Sequence, residues 1–189
     1  MTRRLDTLLL GVAVGVLTTA GAVAQVQNPP SGIYQPKTQA QQPPLRVEVI
    51  DGMRFRDIET RTVYTLYGID TCGADQSAHL GRQSWPCGVM AVAWLVSATL
   101  NTWLACDSVR TDGDVHFVRC ASAGHSDLAA DMLRDGVAVL RPAAPGDPQI
   151  PAYAKAQADA RKAYRGLWSS TFQMPADRQQ ADVDNGEKR

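Results

Sequence analysis

Two apolar runs, residues 103–109 and 115–121, flank Thr111-Asp112-Gly113-Asp114. This arrangement constrains the fold more than any other stretch of the chain. A Gly-centred polar tetrad between apolar runs is a hairpin signal, because glycine supplies the positive φ that a tight turn needs. Each run carries one cysteine, Cys106 and Cys120, and a turn centred on Gly113 sets the two nearly opposite each other. The chain has two further cysteines, Cys72 and Cys87, and no C-x-x-C pair. Four cysteines permit three connectivities. The hairpin favours Cys106 with Cys120, which leaves Cys72 with Cys87. Each bond would close a loop of about 15 residues, worth on the order of 3 kcal/mol. Zinc held by these cysteines with His79, His116 or His125 is the competing use, and their spacing does not match a common zinc pattern.

A disulfide framework implies an oxidising compartment, and the N-terminus agrees. Arg3-Arg4 precede an apolar stretch over residues 8–17, followed by the small-residue site Ala22-Val23-Ala24 before Gln25. This is the layout of a secretory signal peptide over residues 1–24 and predicts a periplasmic or secreted protein. A retained N-terminal anchor is the alternative, but the stretch is shorter than the roughly 20 strongly apolar residues that a span prefers. No stable membrane span is expected after cleavage. Residues 25–44 are rich in glutamine and proline and predict a disordered linker; residues 173–189 predict a disordered polar tail.

The region between them, residues 45–172, is long enough for one domain, and 44% of the chain is hydrophobic. Alternation predicts strands from about residue 45, over 53–58 and over 63–69, with Asp51-Gly52 as a turn. A loop over residues 70–86 leads to a helix over 88–102, with Val89, Ala93, Val96 and Leu100 on one apolar face. The cysteine hairpin supplies strands four and five. A second helix, capped by Ser126 or Asp127, ends at Gly136, and a third covers 152–164. Five strands and about three helices make an α+β chain, a β-barrel with helices.

Val49-Ile50-Asp51-Gly52-Met53-Arg54-Phe55 and Leu66-Tyr67-Gly68-Ile69-Asp70 resemble two motifs of the thermonuclease (micrococcal or staphylococcal nuclease-like) family. Trp85-Pro86-Cys87-Gly88, Leu133-Arg134-Asp135-Gly136-Val137-Ala138 and Tyr153 through Gly166-Leu167-Trp168 resemble later features of that family in the same order. The resemblance implies a five-stranded Greek-key barrel of the oligonucleotide-binding (OB) type. It also implies calcium-dependent phosphodiester hydrolysis, which needs oxygen ligands for a hard cation, a group acting on water and cations for the developing charge.

Most of those groups are replaced. Of the two metal-binding aspartate positions the resemblance carries over, one remains as Asp70 and the other is Met53, a soft and poor calcium ligand. The catalytic glutamate position is Gly73. The first phosphate-binding arginine position is Thr65, whose hydroxyl cannot replace a bidentate guanidinium. The second falls at Val115, and slippage by a few residues would bring Arg110 or Arg119 there. Asp70 and Asp51 have a structural reading as turn residues. The three histidines have no companion nucleophile, and Trp85, Trp94, Trp103 and Trp168 are better explained by packing than by base stacking.

The formal charge is zero; removing Arg3, Arg4 and Asp6 takes away a net +1 and leaves −1. Nucleic acid is a partner that the resemblance implies and the charge does not support. Three functions follow as expectations. The first is an exported thermonuclease-like domain without calcium-dependent nuclease activity, needing no cofactor, that serves as a binding or assembly module. The second is a nuclease or phosphodiesterase with a relocated site, drawing on Asp75, Asp112 or Asp114 with Arg54, Arg56 or Arg119, and on calcium. The third comes from the family resemblance alone: an accessory protein of succinoglycan-type exopolysaccharide biosynthesis.

Overall fold

The cysteine hairpin is built from β7 (Ala105–Asp112) and β8 (Val115–Ala121), antiparallel around Gly113 at φ 56°. Cys106 faces Cys120 in the register, and the two form a disulfide. The other pair, Cys72 and Cys87, is bonded as well, with Cα atoms 5.8 Å apart. This computed structural model describes residues 43–143 and 145–174; the signal-peptide reading, most of the linker and most of the polar tail lie outside the described residues.

Three further strands, β1 (Val47–Val49), β2 (Arg54–Asp57) and β3 (Val63–Leu66), form an antiparallel meander. β3 then pairs in parallel with β8, which gives the order β1-β2-β3-β8-β7. The two outer strands meet through Leu45 and Leu104, whose backbones exchange hydrogen bonds of 2.8 and 2.9 Å. That bridge closes the sheet into the five-stranded OB-type barrel. Phe55, Leu66, Leu104 and Val118 point inward and are fully or almost fully buried. Each contributes about 1.5–3 kcal/mol by leaving water.

Among the described residues three α-helices cover the barrel: α1 (Cys87–Thr99), α2 (Leu128–Asp135) and α3 (Pro151–Lys162). Asp127 caps α2 by accepting from the Ala130 N–H, and Gly136 ends it in the left-handed conformation at φ 72°. A side chain at Gly136 would collide with the backbone, because a Cβ there would lie 2.2 Å from the Arg165 carbonyl oxygen. Gly166-Leu167-Trp168 form a 3-10 turn that docks on this spot, with the Leu167 N–H donating to the Gly136 carbonyl.

Three details differ from the sequence expectations. The strand expected over 63–69 breaks at Gly68, where φ is 76°, and its end, β4 (Ile69–Asp70), pairs with β9 (Val139–Leu140) instead. The stretch read as a loop over 70–86 contains a small hairpin, β5 (Ala78–Leu80) with β6 (Gln83–Trp85). His79 in β5 bridges to Thr171, so the hairpin clasps the end of the domain beside a second small core of Cys72, Cys87, Leu167, Trp85, Trp168 and Phe172. The third difference is in α1. Its buried side is Cys87, Gly88, Ala91, Leu95 and Thr99, whereas the face of Val89, Ala93, Val96 and Leu100 is turned to solvent. The helix has no charged residue, so nothing in its sequence marks which apolar side is inner.

Candidate functional site

The turn between β1 and β2 and the chain that leaves β4 together line a cleft of about 410 Å³. Asp51 organises one wall. Its Oδ1 accepts from the N–H groups of Met53 at 3.0 Å and Arg54 at 2.8 Å, which locks the turn, and its Oδ2 pairs with Arg54 Nε at 2.5 Å. Gly52 lets this turn sit close to the opposite wall, since a Cβ there would lie 2.7 Å from Thr71 Oγ1 and 2.8 Å from the Ala91 Cβ. Asp70, at the end of β4, is 7% exposed, and its Oδ1 accepts from the Thr71 N–H at 2.9 Å.

Beyond Asp70 the cleft is finished by Cys72, Gly73 and Ala74. The disulfide ties Cys72 to Cys87, the first residue of α1. Gly73 donates to Gln76 Oε1 at 2.7 Å, and the Gln76 N–H donates back to the Gly73 carbonyl at 2.9 Å. This tight turn rests on the start of α1, where a Cβ at Gly88 would meet the Gly73 carbonyl oxygen at 1.8 Å. The cleft is therefore framed by a disulfide, a closed turn and the start of α1.

Of the positions singled out in the sequence, the fold brings Met53, Asp70 and Gly73 into this one cleft. Thr65 is buried in β3 and Val115 stands at the hairpin turn; neither lines the cleft. Arg54 does, and sequence reasoning did not separate it from Arg56. Register does: Arg54 stands directly across from Thr65 on β2 and β3, while Arg56 pairs with Glu48.

The remaining candidates for a relocated site lie apart. Arg119 binds Asp127 through two nitrogens at 3.2 and 2.9 Å, and the Tyr153 hydroxyl donates to the same carboxylate at 3.1 Å. Burial, with the Asp127 charge, pushes the Tyr153 phenol well above its ordinary range. This network joins β8, α2 and α3 and is structural. Arg110 lies over the Phe117 ring at 4.4 Å and pairs with Asp147 at 3.5 Å, beside a hollow of about 130 Å³. Asp75, Asp112 and Asp114 do not line the Asp70 cleft. His125 contacts Asp131 and the Trp94 ring, and of the four tryptophans Trp103 is the most exposed.

Calcium asks for six to eight oxygen ligands. The cleft presents Asp70, a thioether at Met53, no side chain at Gly73, and an Asp51 whose oxygens already serve two amides and a guanidinium. That donor set does not fit the ion. Among the described residues no three His, Cys, Asp or Glu side chains are grouped to hold a metal.

A closed five-stranded barrel with three helices, carrying a polar cleft where β4 ends, defines a thermonuclease-like domain. The chain belongs to the staphylococcal nuclease homologue family, whose sequence pattern it matches over residues 64–170, more than half its length. The Asp70 and Gly73 positions fall inside that match; the turn bearing Met53 precedes it. No curated protein matches the chain.

Proposed function

We propose that this protein is an exported thermonuclease-like domain that has lost calcium-dependent cleavage and uses the barrel as a binding or assembly module. One observation carries the reading: the cleft that gathers three of the five family positions holds Met53 and Gly73 beside Asp70. Without the second carboxylate and the glutamate, neither a hard cation nor an attacking water has its partner. Two disulfides support export, since such bonds persist in oxidising compartments. No helix among the described residues is long and apolar enough to cross a membrane.

A phosphodiesterase with a relocated site is the second reading, and the observation favouring it is Arg54, a cation in the Asp70 cleft. Nuclease assays on the oxidised protein with single- and double-stranded DNA and RNA in calcium separate the two. The proposal expects no cleavage above background. Cleavage that disappears in an Asp70→Ala variant would overturn it.

A further inference from the structure

Tyr164 stands where the backbone favours glycine. After α3 the Arg165 N–H donates to the Ala160 carbonyl at 3.0 Å and the Tyr164 N–H to the Arg161 carbonyl at 3.2 Å. These are the two bonds of a helix-ending turn whose left-handed residue is usually glycine. Tyr164 takes that conformation at φ 51°. A bulky side chain is strained there. Packing does not account for it: the side chain is 74% exposed and makes no hydrogen bond or ring contact among the described residues.

Cations surround this tyrosine. Arg161, Lys162 and Arg165 lie within three residues of it, and residues 161–165 are all exposed. Arg161 is held over the Trp168 ring at 4.2 Å, and Arg165 donates to the Arg134 carbonyl at 3.2 Å. Among the described residues none of the three has a carboxylate within ion-pair distance. The carboxylates of the same region are engaged elsewhere: Asp159 pairs with Lys155 at 2.7 Å, Asp131 with Arg134, and Asp135 accepts from the Trp94 indole.

We propose that this corner is a membrane-surface contact, which docks the domain on anionic phospholipid headgroups with Tyr164 at the interface and Arg161, Lys162 and Arg165 on the phosphates. Tyrosine beside lysine and arginine is the composition that anchors at such an interface. The shape favours a flat partner. Five consecutive exposed residues at a helix end form a protrusion, whereas a nucleic-acid strand asks for a groove that follows its backbone. Because Arg161 and Arg165 are already held in place, docking has less side-chain freedom to remove. The inference is independent of whether the Asp70 cleft cleaves anything.

Flotation of the oxidised full chain with phosphatidylglycerol–phosphatidylethanolamine vesicles, against phosphatidylcholine vesicles, tests it. Wild type is expected to bind the anionic vesicles at least ~10-fold better, and less as salt is raised. Residues 1–24 are the same in every variant, so the comparison among variants isolates the corner. Lys162→Gln should weaken binding about fivefold, the worth of one cation at an anionic surface. Tyr164→Gly should weaken it at least ~3-fold while melting no lower than wild type, since glycine relieves the left-handed strain. Tyr164→Trp should retain binding, as tryptophan serves at the same interface. No preference for anionic vesicles, binding indifferent to Lys162→Gln and Tyr164→Gly, or a Tyr164→Gly protein that melts lower than wild type would overturn the proposal. So would a corner that binds a single-stranded oligonucleotide and not the vesicles.

Discussion

Arg54 lies directly across the β2–β3 ladder from Thr65, and Asp51 holds its guanidinium at 2.5 Å. Residues paired this way have Cβ atoms about 4.5–5.5 Å apart, so their side chains share one side of the sheet. The position where the family resemblance expects a phosphate-clamping arginine thus has a different arginine as its neighbour, already bound to a carboxylate.

Restoring an arginine at Thr65 therefore sets two cations side by side. Thr65→Arg is expected to destabilise the fold by about 1–3 kcal/mol, through overpacking of a buried site and repulsion. Adding Arg54→Thr should recover part of that loss. A double-mutant cycle by urea denaturation measures the coupling, and strict additivity would show that the two positions do not interact.

Rebuilding three of the four replaced positions is the stronger test of lost chemistry. Arg54→Thr/Thr65→Arg with Met53→Asp and Gly73→Glu is expected to bind calcium in the 10⁻⁴–10⁻³ M range of weak extracellular sites. It should cleave DNA or RNA at least ~10²-fold above wild type. Gly73 is not among the glycines with positive φ, so its φ alone does not bar a side chain. Titration calorimetry and a nuclease assay read the two outcomes, and Asp70→Ala should abolish both.

The disulfides should be separable by what they hold. Replacing either pair by serine is expected to cost ~3 kcal/mol of stability. Loss of Cys72–Cys87 should also loosen the Asp70 cleft, raising hydrogen exchange at residues 71–76. Loss of Cys106–Cys120 should leave exchange there unchanged, because that bond lies within the β7–β8 ladder.

Asp57 gives the protein an acid-dependent component. Burial pushes its carboxyl up, but hydrogen bonds from the Thr60 side chain and backbone and the Glu59 backbone outweigh this, helped by Arg46, and lower the value. A value lower in the folded than in the unfolded state stabilises fully above the unfolded carboxylate range, about pH 4, and is lost as pH falls through the folded value. Asp57→Ala should cost about 1–3 kcal/mol at pH 7. Thermal melts of both proteins should converge as the pH is lowered.

Gly136→Ala is expected to cost roughly 2–5 kcal/mol, combining left-handed strain with the collision at the Arg165 carbonyl. Differential scanning calorimetry checks it. A near-neutral result would mean that the Gly166-Leu167-Trp168 turn can undock freely.

The hairpin is legible in the sequence because its signal is local: Gly113 needs the left-handed conformation, and the apolar runs follow immediately. The helix ends are legible for the same reason, with Asp127 and Gly136 each making a bond within one turn of the chain. The family motifs point to Met53, Asp70 and Gly73, and the fold gathers these three positions. What stays hidden is set by tertiary register. That Arg54 faces Thr65 depends on the length of the Asp51–Met53 turn and of the connection before β3. The pairing of β4 with β9 joins segments far apart in the chain. In α1, uniform apolarity removes the contrast by which an inner face is recognised.

The barrel's seam is its thinnest joint. Every other neighbouring pair in the five-stranded sheet is a ladder of three or more paired residues, whereas Leu45 and Leu104 hold the outer strands with one bridge of two hydrogen bonds. Closing it brings together residues remote in sequence, at a larger loop-closure cost than the meander or the hairpin requires. In the native cylinder the same joint offers fewer backbone hydrogen bonds than any ladder beside it, so it is the place where the ring has least to hold it shut.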